Sequence, residues 1–138
     1  MTTYLADSNA FSGYLRGKNP NLVAKMSTAI EAGELRLSVM VLAELEFGAR
    51  KAVRTLGTTH FVERVEQLKG AFQVDPVGTE FSSAYALVRD TLEAAGQKIG
   101  DRDTIIAAHA LSLGAVVVSR NMREFARVPG LRVENWET

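Results

Sequence analysis

Three carboxylates in this sequence stand beside apolar runs, where a charge is costly and needs a reason. Asp7 follows the apolar run Tyr4, Leu5 and Ala6 and opens the polar triplet Asp7, Ser8 and Asn9. Glu44 lies inside VLAELEFG, between Ala43 and Leu45 and one turn after Val41. Its neighbour Glu46 falls about 200° further round a helix and should face water. Asp103 stands in the first turn of DRDTIIAAHAL, one turn before Ile106 and Ala107. Carboxylates bordering one core repel each other, and an unpaired buried charge is destabilising. No Lys or Arg lies obviously inward to compensate, and the chain has no cysteine. Oxygen ligands alone suit a hard cation such as Mg²⁺ or Mn²⁺.

Each residue also has a more ordinary reading. Asp7 would serve as a helix cap or a turn former, and Asp103 would favour the positive end of its helix dipole. That dipole role is the preferred reading of Asp101. Glu44, if half exposed, would pair with a Lys or Arg on a neighbouring turn. Asn121, in SRN, has the composition of a loop, and Ser8 and Ser119 that of caps or turns. His109, within AAHA, reads as a satisfied core histidine, and His60 as a surface residue near a helix start. What these separate readings leave unexplained is why the groups should converge.

The elements that must position them alternate. Residues 4–6 form a short buried strand. NLVAKMSTAIEAG spaces Leu22, Met26 and Ile30 as an amphipathic helix stopped by Gly33. LRLS (35–38) is a strand, and VLAELEFGARKAV a helix with Val41, Leu42, Leu45 and Ala49 on one face. TTHFVERVEQLKG is a further helix closed by Gly70, and FQVDPV a strand that Pro76 ends or confines to an edge. FSSAYALVRDTLEAAG and DRDTIIAAHALSLG are helices, AVVVS (115–119) is a wholly apolar strand, and LRVENW a last short one. Strands apolar throughout, alternating with helices, predict an α/β fold of three layers: a central, mostly parallel sheet with helices on both faces. In such sheets the functional crevice lies beyond the C-terminal strand ends. Asp7 and Asn121 leave strands on that edge.

The bulk composition narrows the class. With 138 residues, 46% apolar and 23% charged, the chain reads as one domain with a real core. No stretch approaches the ~18 apolar residues of a membrane span, and nothing resembles a signal peptide. A cytoplasmic location and no membrane partner are expected. Lys plus Arg equals Asp plus Glu at 16 each, so net charge argues for no partner. Positive charge gathers locally at Arg16 and Lys18, and at Arg50, Lys51 and Arg54, although such runs are commonly just solvated faces.

Taken together, these motifs resemble the PIN-domain ribonucleases, and within them the VapC toxins of toxin–antitoxin pairs. The resemblance runs through LADSNAF, LAELEFGA, IGDRDTIIAAHAL and SRNMREFARVPGLRVENW, in that order along nearly the whole chain. Only residues 54–97 add little. It implies one PIN domain over 1–138, with Asp7, Glu44 and Asp103 as the acidic metal site for Mg²⁺ or Mn²⁺. Asn121 falls where many members carry a fourth Asp. That departure suggests an outer contact to metal or substrate, and Asn121 stays among the candidate catalytic residues. Ser8 and Ser119 match supporting hydrogen-bonders of the family, and Asp101 stays outside the site.

The activity so implied is metal-assisted hydrolysis of a phosphodiester in a structured RNA, a tRNA or an rRNA loop. Water attack would leave a 3′-hydroxyl, since no histidine pair is placed for internal attack. Arg16, Lys18, Arg50, Lys51 and Arg54 are candidate RNA contacts. A homodimer and a VapB-like antitoxin are the further partners implied. The alternative is a catalytically silent PIN domain that binds RNA or antitoxin. Phospho-acceptor folds fit less well: position 9 is Asn where the dehalogenase type needs a second Asp, and VVVSRN lacks the strand-end Lys of receivers.

Overall fold

The computed structural model describes residues 1–138. Five short strands form one sheet: β1 (Tyr4–Ala6), β2 (Leu35–Ser38), β3 (Val74–Asp75), β4 (Val116–Val118) and β5 (Val133–Glu134). Their spatial order is β3-β2-β1-β4-β5, and every neighbouring pair is parallel. All C-terminal strand ends therefore share one edge. The chain builds outward from β1 in one direction through β2 and β3, then returns to add β4 and β5 on the other side. The crevice between β1 and β4 is thus the switch point at which parallel sheets hold their ligands.

Seven helices cover the sheet: α1 (Ser8–Arg16), α2 (Pro20–Glu31), α3 (Val39–Leu56), α4 (His60–Ala71), α5 (Thr79–Ala94), α6 (Asp101–Leu113) and α7 (Met122–Phe125). α1 packs on α2, α3 on α4, and α5 on α6. Leu5, Leu37 and Val117 from three central strands are fully buried with Phe11, Val41 and Ala107 from the helices above and below them. Each such large aliphatic or aromatic side chain contributes roughly 1.5–3 kcal/mol by leaving water. This is why β4 can be apolar at every position: both of its faces meet helices.

Two helices exceed what periodicity alone indicates. α1 is written SNAFSGYLR, whose Ser, Asn and Gly are weak helix formers. The burial of Ala10 and Phe11 holds it in place, and Gly13 lets it approach α2. A Cβ at Gly13 would stand 2.8 Å from Leu22 Cδ2. α7 is a single turn whose Phe125 is buried. The FQVDPV strand shrinks to Val74–Asp75 at the sheet edge, immediately before Pro76. α4 runs through Gly70 and stops one residue later.

Candidate active site

Asp7 leaves β1 with its carboxylate turned back onto α1. Its Oδ1 accepts the Ala10 N–H at 2.8 Å, so it caps that helix while also lining a pocket of about 120 Å³. Glu44 of α3 and Asp103 of α6 line the same pocket, with Ser8, Asn9 and Arg102. The three acids singled out by sequence therefore meet at one place, from three elements, at the switch point of the sheet.

Their environments differ. Asp7 is 5% exposed and touches no Lys or Arg. Burial raises its pKa, against the opposing pull of the Ser119 hydroxyl, the Ala10 amide and the more distant Arg120 charge. Asp103 is pushed up to about 6, first by burial and then by a hydrogen bond shared with Glu124. Asn121 lies between this second pair. Its Nδ2 donates to Asp103 Oδ2 at 2.7 Å and to Glu124 Oε2 at 2.9 Å. The hydrogen bonds from Asp103 and Asn121 hold Glu124 below the ordinary carboxylate range. Two carboxyl groups this close keep one proton between them, and they titrate as a pair.

Glu44 is placed otherwise. Its side chain is 36% exposed, and Oε2 lies 3.3 Å from Nη1 of Arg102. The expectation that no basic residue compensates the cluster is therefore corrected: Arg102 reaches the pocket from α6 and pairs with one of its acids. Glu46 is partly exposed and lies 3.5 Å from Lys69, as an outward residue would.

Of the supporting residues, Ser119 fits its expected role. Its Oγ accepts the Asn121 N–H at 2.9 Å and so shapes the loop after β4. Ser8 lines the pocket, but its hydroxyl forms no hydrogen bond within the protein. Asn121 is an outer partner of the acids and not a lining residue. Among the basic candidates only Arg16 lies close by, lining an apolar groove between α1, α3 and α4 that shares Glu44 with the acidic pocket. Lys18, Arg50, Lys51 and Arg54 are exposed and outside both. Glu124 and Arg102 are the site residues that sequence reasoning missed. In sequence Asn-x-x-Glu reads as a capping pair, although the Asn121 side chain makes no cap hydrogen bond here. Nothing in the pattern marks Arg102.

The donor set tests whether a cation fits. Two carboxyls are poorly solvated, and Asp7 meets no guanidinium or ammonium, so a hard divalent ion would relieve their cost. As the side chains lie, no three acids stand at ligand spacing for one ion. Glu44 is held toward Arg102 and Asp103 shares a proton with Glu124, and both acids are partly exposed.

Comparison with known proteins identifies the family. Residues 4–131 match the PIN domain model. The chain is 30% identical over 140 residues to the tRNA(fMet)-specific endonuclease VapC of Salmonella typhimurium, covering 99% of both proteins. It is 29% identical to the ribonuclease VapC2 of Haemophilus influenzae, again over 99% of both. Among solved structures, the DNA-bound VapBC of Salmonella typhimurium superposes with a TM-score of 0.86 at 29% identity, over 99% of each chain. No helix is long and apolar enough to cross a membrane. With a matching family model over most of its length, full-length relatives and the acidic pocket at the switch point, the chain belongs to the PIN domain family, in its VapC ribonuclease branch.

Proposed function

We propose that this protein is a Mg²⁺-dependent endoribonuclease, the toxin of a VapBC-type pair, acting in the cytoplasm on a structured RNA. The observation that carries the reading is the convergence of Asp7, Glu44 and Asp103 in one pocket where the buried Asp7 meets no cation. Asp7, Glu44 and Asp103 are the residues that would hold the ion, and a Mg²⁺ there would supply positive charge toward a scissile phosphate and favour ionisation of an attacking water.

The chain's own residues do the rest. Asp7, fixed by its cap bond to Ala10, presents a rigid carboxylate. Glu124 and Asn121 would keep the Asp103 carboxylate oriented once its proton is lost, and Arg102, which lines the pocket, is placed to meet an RNA phosphate. His109 is buried and His60 exposed on another helix, so no histidine pair serves internal attack by the 2′-hydroxyl. Cleavage accordingly leaves 3′-hydroxyl ends. Of the basic candidates Arg16 lies nearest, on the groove that shares Glu44 with the pocket, and the exposed Lys18, Arg50, Lys51 and Arg54 are proposed as further RNA contacts.

The name of the Salmonella relative favours a tRNA over an rRNA substrate. The VapBC assembly of the structural neighbour supports a VapB-like antitoxin, and a homodimer completes the reading. The test is cleavage of total cellular RNA by the antitoxin-free protein with Mg²⁺ or with EDTA, followed by sequencing of fragment ends. A single Mg²⁺-dependent cut is expected. A folded protein that binds RNA and leaves it whole in Mg²⁺ would contradict the proposal and identify a silent binding module.

A further inference from the structure

The most deeply buried titratable side chain lies outside the acidic pocket. His109, in the middle of α6, is 1% exposed. Its Nδ1 stands 2.8 Å from Ser38 Oγ, which also accepts the Met40 N–H at 3.1 Å as the N-cap of α3. The other ring nitrogen, Nε2, is buried with no hydrogen-bond partner. Phe81 of α5 packs edge-on against the ring, with centroids 6.1 Å apart.

Ser38 Oγ has two lone pairs, one of which receives the Met40 N–H, and it shares a hydrogen with Nδ1 in a direction set by the ring tautomer: with the ring hydrogen on Nε2, Ser38 is the donor. Burial holds the imidazole below its usual pKa, opposed by the Asp75 charge and the Pro76 carbonyl, with Arg36 acting in the same sense as burial. A buried imidazole is a costlier way to fill a core than an apolar side chain of its size.

The location supplies a reason for it. Ser38 precedes Glu44 by six residues, and Asp103 precedes His109 by six. At ~1.5 Å of rise per residue, each acid lies about 9 Å along its helix from this bond. The bond thus ties the start of the helix bearing Glu44 to the helix bearing Asp103. We propose that His109 and Ser38 are positioning residues, whose hydrogen bond sets the spacing of Glu44 and Asp103 and thereby the affinity of the pocket for Mg²⁺. This inference rests on the proposed metal site, although neither residue touches the pocket.

The experiment is calorimetric titration of Mg²⁺ into the wild type, H109L, H109N, S38A and D103N. D103N should lose binding. H109L, which fills the space without an acceptor, should bind roughly tenfold more weakly, as on altering an outer partner of a metal site. H109N places an amide oxygen near the Nδ1 position and should recover most of that loss. Wild-type affinity in H109L, with D103N impaired, overturns the positioning role alone. Wild-type affinity in D103N overturns the metal site and this inference with it. Should H109L fail to fold, S38A removes the donor from the other side, and wild-type affinity there overturns the positioning role; because S38A also removes the cap on Met40, a loss supports the role only where H109N keeps near-wild-type affinity. As a second readout, the His109 ¹⁵Nδ1 resonance of the wild type should shift on Mg²⁺ addition, and an unmoved resonance would also overturn the proposal.

Discussion

Asp7 and Asp75 are both buried at the C-terminal ends of strands in the same parallel sheet, 5% and 7% exposed. Asp75 accepts two hydrogen bonds from Arg36, one of them from Nε at 2.7 Å, and that carboxylate holds the guanidinium above its usual range. Asp7 accepts a backbone amide and meets no guanidinium or ammonium. The same fold position therefore yields two kinds of carboxylate. One is matched by a countercharge within the chain and locks β3 to β2. The other sits where β1 and β4 part, held by the Ala10 amide and the Ser119 hydroxyl with Arg120 at longer range, and with no ion-pair partner inside the chain. Burial alone does not mark a candidate metal ligand; burial without an ion-pair partner is the added signal.

Exchanging the two carboxylates for amides separates them most strongly. Asp7→Asn should abolish RNA cleavage, a loss beyond the roughly 10–100-fold seen on altering an outer partner of a metal site, with the fold intact. Equal cleavage by mutant and wild type would remove Asp7 from the site. Asp75→Asn should do the reverse. The Arg36 side chain is 41% exposed and stays partly solvated without its partner, so the loss should cost about 1 kcal/mol, visible as a lower unfolding midpoint, while Mg²⁺ binding persists.

Proton linkage gives a third contrast. The folded protein keeps a proton on Asp103 up to about pH 6, whereas the unfolded chain releases it near 3.8. The folded state then holds more protons in this window, so the stability of the metal-free protein should fall as pH rises from about 4 to 6. Glu124, whose pKa is lowered, acts in the opposite sense below about 4.5. Ion binding must expel the Asp103 proton, so Mg²⁺ affinity should weaken by up to ~10-fold per pH unit below 6. A flat affinity between pH 5 and 7 would argue against the shared proton. Removing the partner, in Glu124→Gln, should move the midpoint down.

The smallest effect belongs to Arg102. Its pair with Glu44 is solvent-exposed, and such pairs contribute about 0–1 kcal/mol. Arg102→Ala should therefore tighten Mg²⁺ binding by no more than roughly fivefold while weakening RNA binding. A loss of Mg²⁺ affinity would mean that Arg102 orders Glu44 and does not compete for it.

How much of this was legible in the sequence depends on whether the signal is local. Asp7, Glu44 and Asp103 announce themselves because each interrupts an apolar run whose period is visible in one segment. The switch point follows from strand ends alone. Arg102 could not be read, because its neighbour Glu44 is 58 positions away and only packing of α3 near α6 brings them together. Glu124 was hidden by its own helix turn, where Asn-x-x-Glu is ordinary capping chemistry. α1 was hidden because weak helix formers are held there by tertiary burial of Phe11, which overrides propensity. The Arg36–Asp75 pair is another contact between distant segments, so nothing in either segment distinguished Asp75 from Asp7.

The most direct measurement is Mg²⁺ titration of the wild type, Asp7→Asn and Asp75→Asn by calorimetry at pH 7.5. Binding to the wild type and to Asp75→Asn is expected, and none to a folded Asp7→Asn. Undiminished binding to Asp7→Asn would contradict this, because the unpartnered carboxylate would then not be the one that holds the ion.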